Sequence, residues 1–173
     1  MLPRSIPPSK GEKKPMYCLS YVSPMEIEED KNIPNEAIVG WLTELPSKNE
    51  NGDYEINPNT FIENDAFVEV MHSAITNFVK SKMTNVDEHE SVALEYINGQ
   101  LHYPLWSNVV DDTEQCVTRP SPEHIFGSIS TLEGNIIEYV PNFAFRLVTN
   151  QGVCELSQGI EEELLKKIKQ FCT

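Results

Sequence analysis

The stretch that decides the fold spans residues 59–83 and reads NTFIENDAFVEVMHSAITNFVKSKM. Its large apolar residues recur at intervals of three and four positions, so they fall on one face of an α-helix. This apolar stripe consists of Phe67, Met71, Ala74, Ile75 and Phe78. Thr60 and Glu63 have the spacing of a capping box, which predicts where the helix begins. We therefore expect a central helix that buries the stripe under a sheet and exposes Glu69, Asn77 and Lys80.

Strand and turn patterns alternate through residues 124–157. Strands are predicted at HIFGSIS (124–130), IIEYV (136–140), FAFRLVT (143–149) and VCELS (153–157). They form two hairpins of an antiparallel meander with one apolar face, toward which Phe143, Phe145 and Leu147 all point.

A second amphipathic helix follows the meander and is capped by Ser157. Its apolar stripe consists of Ile160, Leu164, Leu165, Ile168 and Phe171. The predicted fold class is therefore α+β: an antiparallel sheet, with a C-terminal meander of about four strands, packed on a long central helix and a C-terminal helix.

Two shorter segments fit either a helix or a strand. Residues 37–45 (AIVGWLTEL) precede Asn51-Gly52, a strong hairpin signal, which favours a strand and a return strand at residues 54–57. Residues 91–97 (SVALEYI) alternate like a strand, but their position before Asn98-Gly99 also suits a helix and its C-cap, and we favour the helix.

The chain start differs in composition from the rest. Residues 1–16 contain four prolines and little apolar surface, which predicts a disordered tail followed by a single α+β domain over residues 17–173. The tail holds four of the 13 basic residues but only one of the 27 acidic ones, so the domain is more acidic than the overall charge of −14.

The acidic balance and the four cysteines indicate in which compartment the protein occurs and which classes of partner it can bind. An acidic surface repels nucleic-acid phosphates and anionic lipids but is compatible with a basic protein partner. The sequence contains no signal-peptide pattern, no apolar run of membrane-spanning length and no C-x-x-C pair. We therefore expect an intracellular protein with free thiols, most simply cytoplasmic, without a nucleic-acid or membrane partner.

Residues with catalytic chemistry do not form a specific motif. Cys116 lies between His102 and His124, so a thiol–imidazole site is conceivable, whereas Cys154 and Cys172 occupy positions typical of small core residues. The sequence lacks the short cysteine and histidine spacings of zinc sites, and it also lacks the glycine patterns of nucleotide-binding sites. The sequence therefore predicts no catalytic residue, no cofactor and no metal ligand.

Residues 101–122 form the longest segment without a regular pattern, and such segments often carry function. Tyr103 and Trp106 are aromatic groups of the kind found in interfaces, and Asp111 and Asp112 are acidic neighbours. The alternative is that the two aromatic residues plug one end of the core. We expect a non-enzymatic adaptor, chaperone-like protein or complex subunit that binds a partner through these four residues. The alternative function is a small hydrolase or transferase with a Cys/His site.

Overall fold

A computed structural model describes residues 4–6, 16–22, 33–48, 51–52, 54–84, 105–111, 120–132 and 135–172. Two α-helices lie within these residues, α1 (Asp65–Thr84) and α2 (Gln158–Phe171). The strands are β1 (Arg4–Ile6), β2 (Met16–Ser20), β3 (Ile38–Leu42), β4 (Ser47–Lys48), β5 (Tyr54–Glu55), β6 (Phe61–Glu63), β7 (Leu105–Val110), β8 (Ile125–Leu132), β9 (Asn135–Pro141), β10 (Val148–Thr149) and β11 (Gly152–Val153).

The strands form two larger antiparallel sheets and two short hairpins. One sheet has the order β1-β2-β3-β6 and the other the order β7-β8-β9, while β4–β5 and β10–β11 pair separately. Helix α1 packs against β3, β9 and α2, so its apolar stripe lies in the common core. The α+β class, with antiparallel sheets, a long helix and a C-terminal helix, is confirmed.

Helix α1 begins later than the capping-box pattern indicates. Residues 61–63 pair with β3, and the Glu63 carboxylate accepts a hydrogen bond from the Leu147 backbone N–H at 2.8 Å, so Thr60 and Glu63 do not cap the helix. Asn64 takes that role: its Oδ1 accepts from the Ala66 N–H at 3.2 Å. The Asn64 Nδ2 also donates to the Ile38 carbonyl at 2.7 Å, which ties the start of the helix to the first sheet.

The periodicity of the central helix is confirmed. Four stripe residues have almost no exposed surface, namely Phe67, Met71, Ala74 and Ile75. Glu69, Asn77 and Lys80 are exposed, as expected. Phe78 is half-buried, because its ring lies over Gly159 of α2; a Cβ at Gly159 would overlap that ring. The missing side chain thus lets the two helices approach closely.

The first hairpin of the C-terminal meander is confirmed, whereas the second is reduced to the two-residue strands β10 and β11, which pair antiparallel but apart from the larger sheet. Strands β8 and β9 pair as expected, but the third strand of their sheet is β7, from the segment that we predicted to be irregular. Residues 143–149 form regular strand only at Val148–Thr149. The reason lies at Asn142, whose Oδ1 accepts from the Ala144 N–H at 3.0 Å and turns the chain away from the sheet.

The ambiguous and terminal segments are resolved in part. Residues 38–42 of the 37–45 segment form β3, which confirms the strand, but β3 pairs with β2 and β6 and not with the expected return strand. That strand is only Tyr54–Glu55, and it pairs with β4 beside the turn at Asn51-Gly52, where Gly52 has φ 89°. Residues 91–97 lie outside the described residues. Within the expected tail, Arg4–Ile6 pairs with β2, and Met16 already belongs to β2, so the expectation of disorder fails at these four residues. Backbone pairing, which composition does not report, accounts for that difference.

Candidate functional site

Strand β7 carries the tryptophan that the sequence singles out. Trp106 lies opposite Ser130 of β8, Asn108 lies opposite Ser128, and side chains alternate between the two faces of the strand. Trp106, Asn108 and Val110 therefore share one face, and all three are exposed, Trp106 by 56%. Trp106 is thus not a plug of the core.

The same face continues across β8 and β9. Ser128 lies opposite Val140 of β9, and the Ser128 hydroxyl donates to Asn108 Oδ1 at 2.9 Å. Glu138 also stands on this side, level with Trp106 along the sheet. We call this surface the outer sheet face; it comprises Trp106, Asn108, Val110, Ser128, Glu138 and Val140. It presents three exposed apolar side chains among polar ones.

The opposite face of the sheet holds it against the core. Val109, Ile129 and Tyr139 are partly buried and pack on the core cluster. The Tyr139 hydroxyl lies 3.2 Å from the Phe126 carbonyl and forms a hydrogen bond with His72 Nδ1 of α1 at 2.9 Å. The outer sheet face is therefore supported by packing on the core and by a hydrogen bond to α1.

Asp111 follows β7 directly and faces the interior, with 1% of its surface exposed. Its Oδ2 lies 3.2 Å from His124 Nδ1, and its Oδ1 accepts from the Glu155 backbone N–H at 2.8 Å. The Asp111 N–H donates to the His124 carbonyl at 2.8 Å. The expectation that Asp111 is a surface contact for a partner is therefore corrected: its carboxylate joins the end of β7 to the start of β8 and to the segment before α2.

His124 completes this buried network and has no exposed surface. Its Nε2 lies 3.2 Å from Gln151 Oε1, and that oxygen also accepts from the Thr149 hydroxyl at 3.0 Å. We call the set Asp111, His124, Thr149 and Gln151 the Asp111 network. Because both ring nitrogens have partners and the ring is enclosed, His124 cannot reach a substrate in this arrangement.

Cys154 is not an activated thiol. Burial, together with the negative charges of Asp111, Glu63 and Glu155, raises the pKa of the Cys154 thiol far above its ordinary value. The thiolate is the nucleophilic form, so Cys154 remains unreactive near neutral pH. Cys18 and Cys172 are free thiols, buried and half-buried, while Cys116 and His102 lie outside the described residues. The alternative of a Cys/His hydrolase or transferase gains no support from Cys154 or His124.

Of the four predicted partner-binding residues, only two can be located. Trp106 lies on the outer sheet face and Asp111 lies inside the protein, at opposite ends of β7. The structure therefore does not bring these two residues onto one surface. Tyr103 and Asp112 lie outside the described residues.

A second exposed aromatic residue was missed by the sequence analysis. Phe143 is 94% exposed, although the strand pattern pointed it into the sheet with Phe145, which is buried. It lines a groove of about 570 Å³ between residues 141–146 and the start of α1. Pro141-Asn142 was the signal available in the sequence, because such a pair ends a strand and begins a turn.

Two further features concern ligand and membrane binding in the described part of the chain. Within these residues, no group of three or more His, Cys, Asp or Glu side chains is arranged to hold a metal ion. None of the described helices has the length and apolarity needed to cross a membrane. Comparison with protein-family models, with curated proteins and with solved structures gives no match.

Proposed function

We propose that this protein is a non-enzymatic interaction module, an adaptor, chaperone-like protein or complex subunit, that binds a protein partner in the cytoplasm through its outer sheet face. The observation that carries the proposal is the position of Trp106, 56% exposed on an ordered strand. Tryptophan is the residue most enriched among the few that dominate binding energy in interfaces. Full burial of a large apolar side chain stabilises a structure by about 1.5–3 kcal/mol. The exposed part of Trp106 can contribute its share of this free energy only when a partner covers it.

The neighbours of Trp106 support an interface rather than a chance exposure. Val110 and Val140 are also exposed on the same face, by 39% and 37%. Asn108, Ser128 and Glu138 surround them with hydrogen-bonding and charged groups. An apolar centre with a polar rim is the usual composition of a specific protein interface.

The charge of the protein favours a basic partner. The net charge is −14, and Glu138 of β9 lies on the outer sheet face level with Trp106, with Ser130 of β8 between them. Complementary charge raises the association rate of such partners, whereas nucleic-acid phosphates and anionic lipids would be repelled. A basic protein therefore fits this surface better than either of those classes.

The test is a comparison of two variants after affinity purification from the source cells has provided a purified partner. We expect Trp106→Ala to weaken binding at least tenfold, mainly through faster dissociation, because the exposed part of the Trp106 side chain would be covered in the complex. Glu138→Lys should slow association and flatten its dependence on salt. Asn77→Ala, exposed on α1 and outside the outer sheet face, is the control and should change binding little.

The thermal unfolding of each variant distinguishes a lost contact with the partner from a loss of folded structure. Trp106→Ala should retain the unfolding temperature of the parent protein, because most of the side chain is in solvent. If Trp106→Ala unfolds the domain, Trp106 serves stability. If binding is as tight as that of the parent protein, the outer sheet face is not the interface.

A further inference from the structure

A groove on the α1 side of the second sheet has the features of a separate peptide-binding surface. One wall is the first two turns of α1, with Asp65, Glu69 and His72, and the other is the segment 141–146. The groove encloses about 570 Å³, within the range of sites that hold a few side chains of a ligand. We call it the α1 groove.

The segment that forms the second wall is held firmly, mainly through Asn142. The Asn142 Nδ2 donates to the Pro122 carbonyl at 2.7 Å and to the Ile125 carbonyl at 2.9 Å. The Asn142 N–H donates to the Phe126 carbonyl at 2.9 Å. A wall fixed by this many hydrogen bonds needs little further ordering when a ligand binds, which reduces the entropic cost of binding.

This fixed turn directs two phenylalanines in opposite directions. Phe145 is 5% exposed and packs on Phe126, with ring centroids 4.7 Å apart. Phe143, two residues earlier, is 94% exposed and lines the groove. The anchoring of Phe145 therefore holds the Phe143 ring out in water, where it contributes nothing to the core.

The charges at the groove are mostly negative. Asp65 and Glu69 are exposed, lie one helical turn apart, and form no ion pair within the described part of the chain. The cation of the groove, Arg146, donates through Nη1 to the carbonyl oxygens of Phe143 at 3.4 Å and Phe145 at 2.9 Å. Burial lowers the pKa of His72, so its ring adds no positive charge at neutral pH. The carboxylates of Asp65 and Glu69 thus outnumber the single guanidinium of Arg146, and the groove attracts a cation.

We propose that the α1 groove binds a basic peptide segment of a partner protein. An aliphatic or aromatic side chain of the peptide packs on Phe143, and a neighbouring lysine or arginine lies between the carboxylates of Asp65 and Glu69. Charge complementarity selects this occupant, because an acidic peptide, a phosphate group or an anionic membrane would meet the same carboxylates and be repelled. The α1 groove and the outer sheet face are separate surfaces, so this proposal does not depend on Trp106.

The experiment is a selection of nine-residue random peptides displayed on phage against the full chain, followed by binding measurements on synthetic copies of the selected peptides. We expect selected sequences that combine lysine or arginine with a large apolar residue. Phe143→Ala should weaken their binding at least tenfold. Asp65→Asn together with Glu69→Gln should weaken it by a similar factor and flatten the salt dependence, while both changes preserve side-chain size.

Control variants separate the groove from the other surface and from loss of structure. Trp106→Ala and Glu138→Lys should leave peptide binding unchanged, and Phe143→Ala should retain the unfolding temperature because its ring is in solvent. Selected peptides without basic residues, or binding that is insensitive to Phe143→Ala, would overturn the proposal. So would peptides that respond only to Trp106→Ala, although that result would support the outer sheet face as an interface.

Two other occupants of the groove are distinguished in the same series. Removal of residues 1–15, which carry the lysines of the chain start, should leave peptide affinity unchanged; a tenfold gain would show that this segment competes for the groove. Sedimentation of the chain alone should be the same for the parent protein and Phe143→Ala. Self-association that Phe143→Ala abolishes would identify a second copy as the occupant and overturn the proposal.

Discussion

Replacing Asp111 by alanine should destabilise the whole domain, although the sequence suggested a surface loop residue. The carboxylate joins three segments that are distant in the chain, through His124 Nδ1 at 3.2 Å and the Glu155 N–H at 2.8 Å. Asp111→Ala leaves both groups in the interior without this acceptor, and the enclosed site offers little room for compensating water.

The magnitude follows from those two hydrogen bonds. A hydrogen bond to a charged group contributes about 1.5–3 kcal/mol, so the two together give about 3–6 kcal/mol. A domain of this size has about 5–15 kcal/mol of total stability, so the loss is a large share of it. The corresponding decrease in the unfolding temperature is on the order of 10 °C.

Urea denaturation followed by tryptophan fluorescence measures the free energy of unfolding of the variants. Glu138→Gln is the control, an acidic residue of the same sheet that is exposed, and it should change stability by less than about 0.5 kcal/mol. Asp111→Asn should cost only about 1–2 kcal/mol, because its amide oxygen can still accept from Glu155 while its amide nitrogen donates to His124 Nδ1. If Asp111→Ala were no more destabilising than Glu138→Gln, the Asp111 network would not hold the sheet together.

Two further predictions concern the central helix and the chain start. Phe78→Ala should destabilise the domain by about 3 kcal/mol, the lower end of the range for core phenylalanines, because Phe78 is half-buried over Gly159. Urea denaturation measures this loss, with the exposed Asn77→Ala as the control; equal midpoints for the two variants would contradict the helix packing. Removing residues 1–15 should change the unfolding temperature by no more than a few degrees, because β1 is a three-residue edge strand whose hydrogen bonds barely offset the entropy of ordering it. A larger decrease, measured by differential scanning calorimetry, would show that the start of the chain is part of the domain.

Local patterns were sufficient for the helices and for the hairpin of β8 and β9. The stripe of α1 is long enough that its period identifies both the helix and its buried face, and Ile160, Leu164 and Ile168 do the same for α2. The start of α1 was misplaced because Thr60 and Glu63 imitate a cap. Pairing of residues 61–63 with β3, about twenty residues earlier, overrides that local signal.

Strand β7 could not be predicted because its apolar residues do not all point inward. Trp106 and Val110 are exposed while Val109 packs on the core. The alternation of residues along β7 therefore does not show which face of the strand is buried. The strand is fixed instead by pairing with β8 and by the hydrogen bonds of Asp111, which depend on His124 and Glu155, 13 and 44 residues away. Contacts at such separations are not encoded in any short window of sequence.

Trp106 of β7 and Asp111, which directly follows β7, have different roles. Asp111 fixes one end of the strand from inside the protein, whereas Trp106, at the other end, faces solvent. Six residue pairs with β8 set the register of β7 and place the indole on the outer sheet face. The Asp111 network adds side-chain hydrogen bonds at the end of the strand, which stabilise that register. A change at Asp111 therefore tests the support of the proposed interface, and a change at Trp106 tests the interface itself.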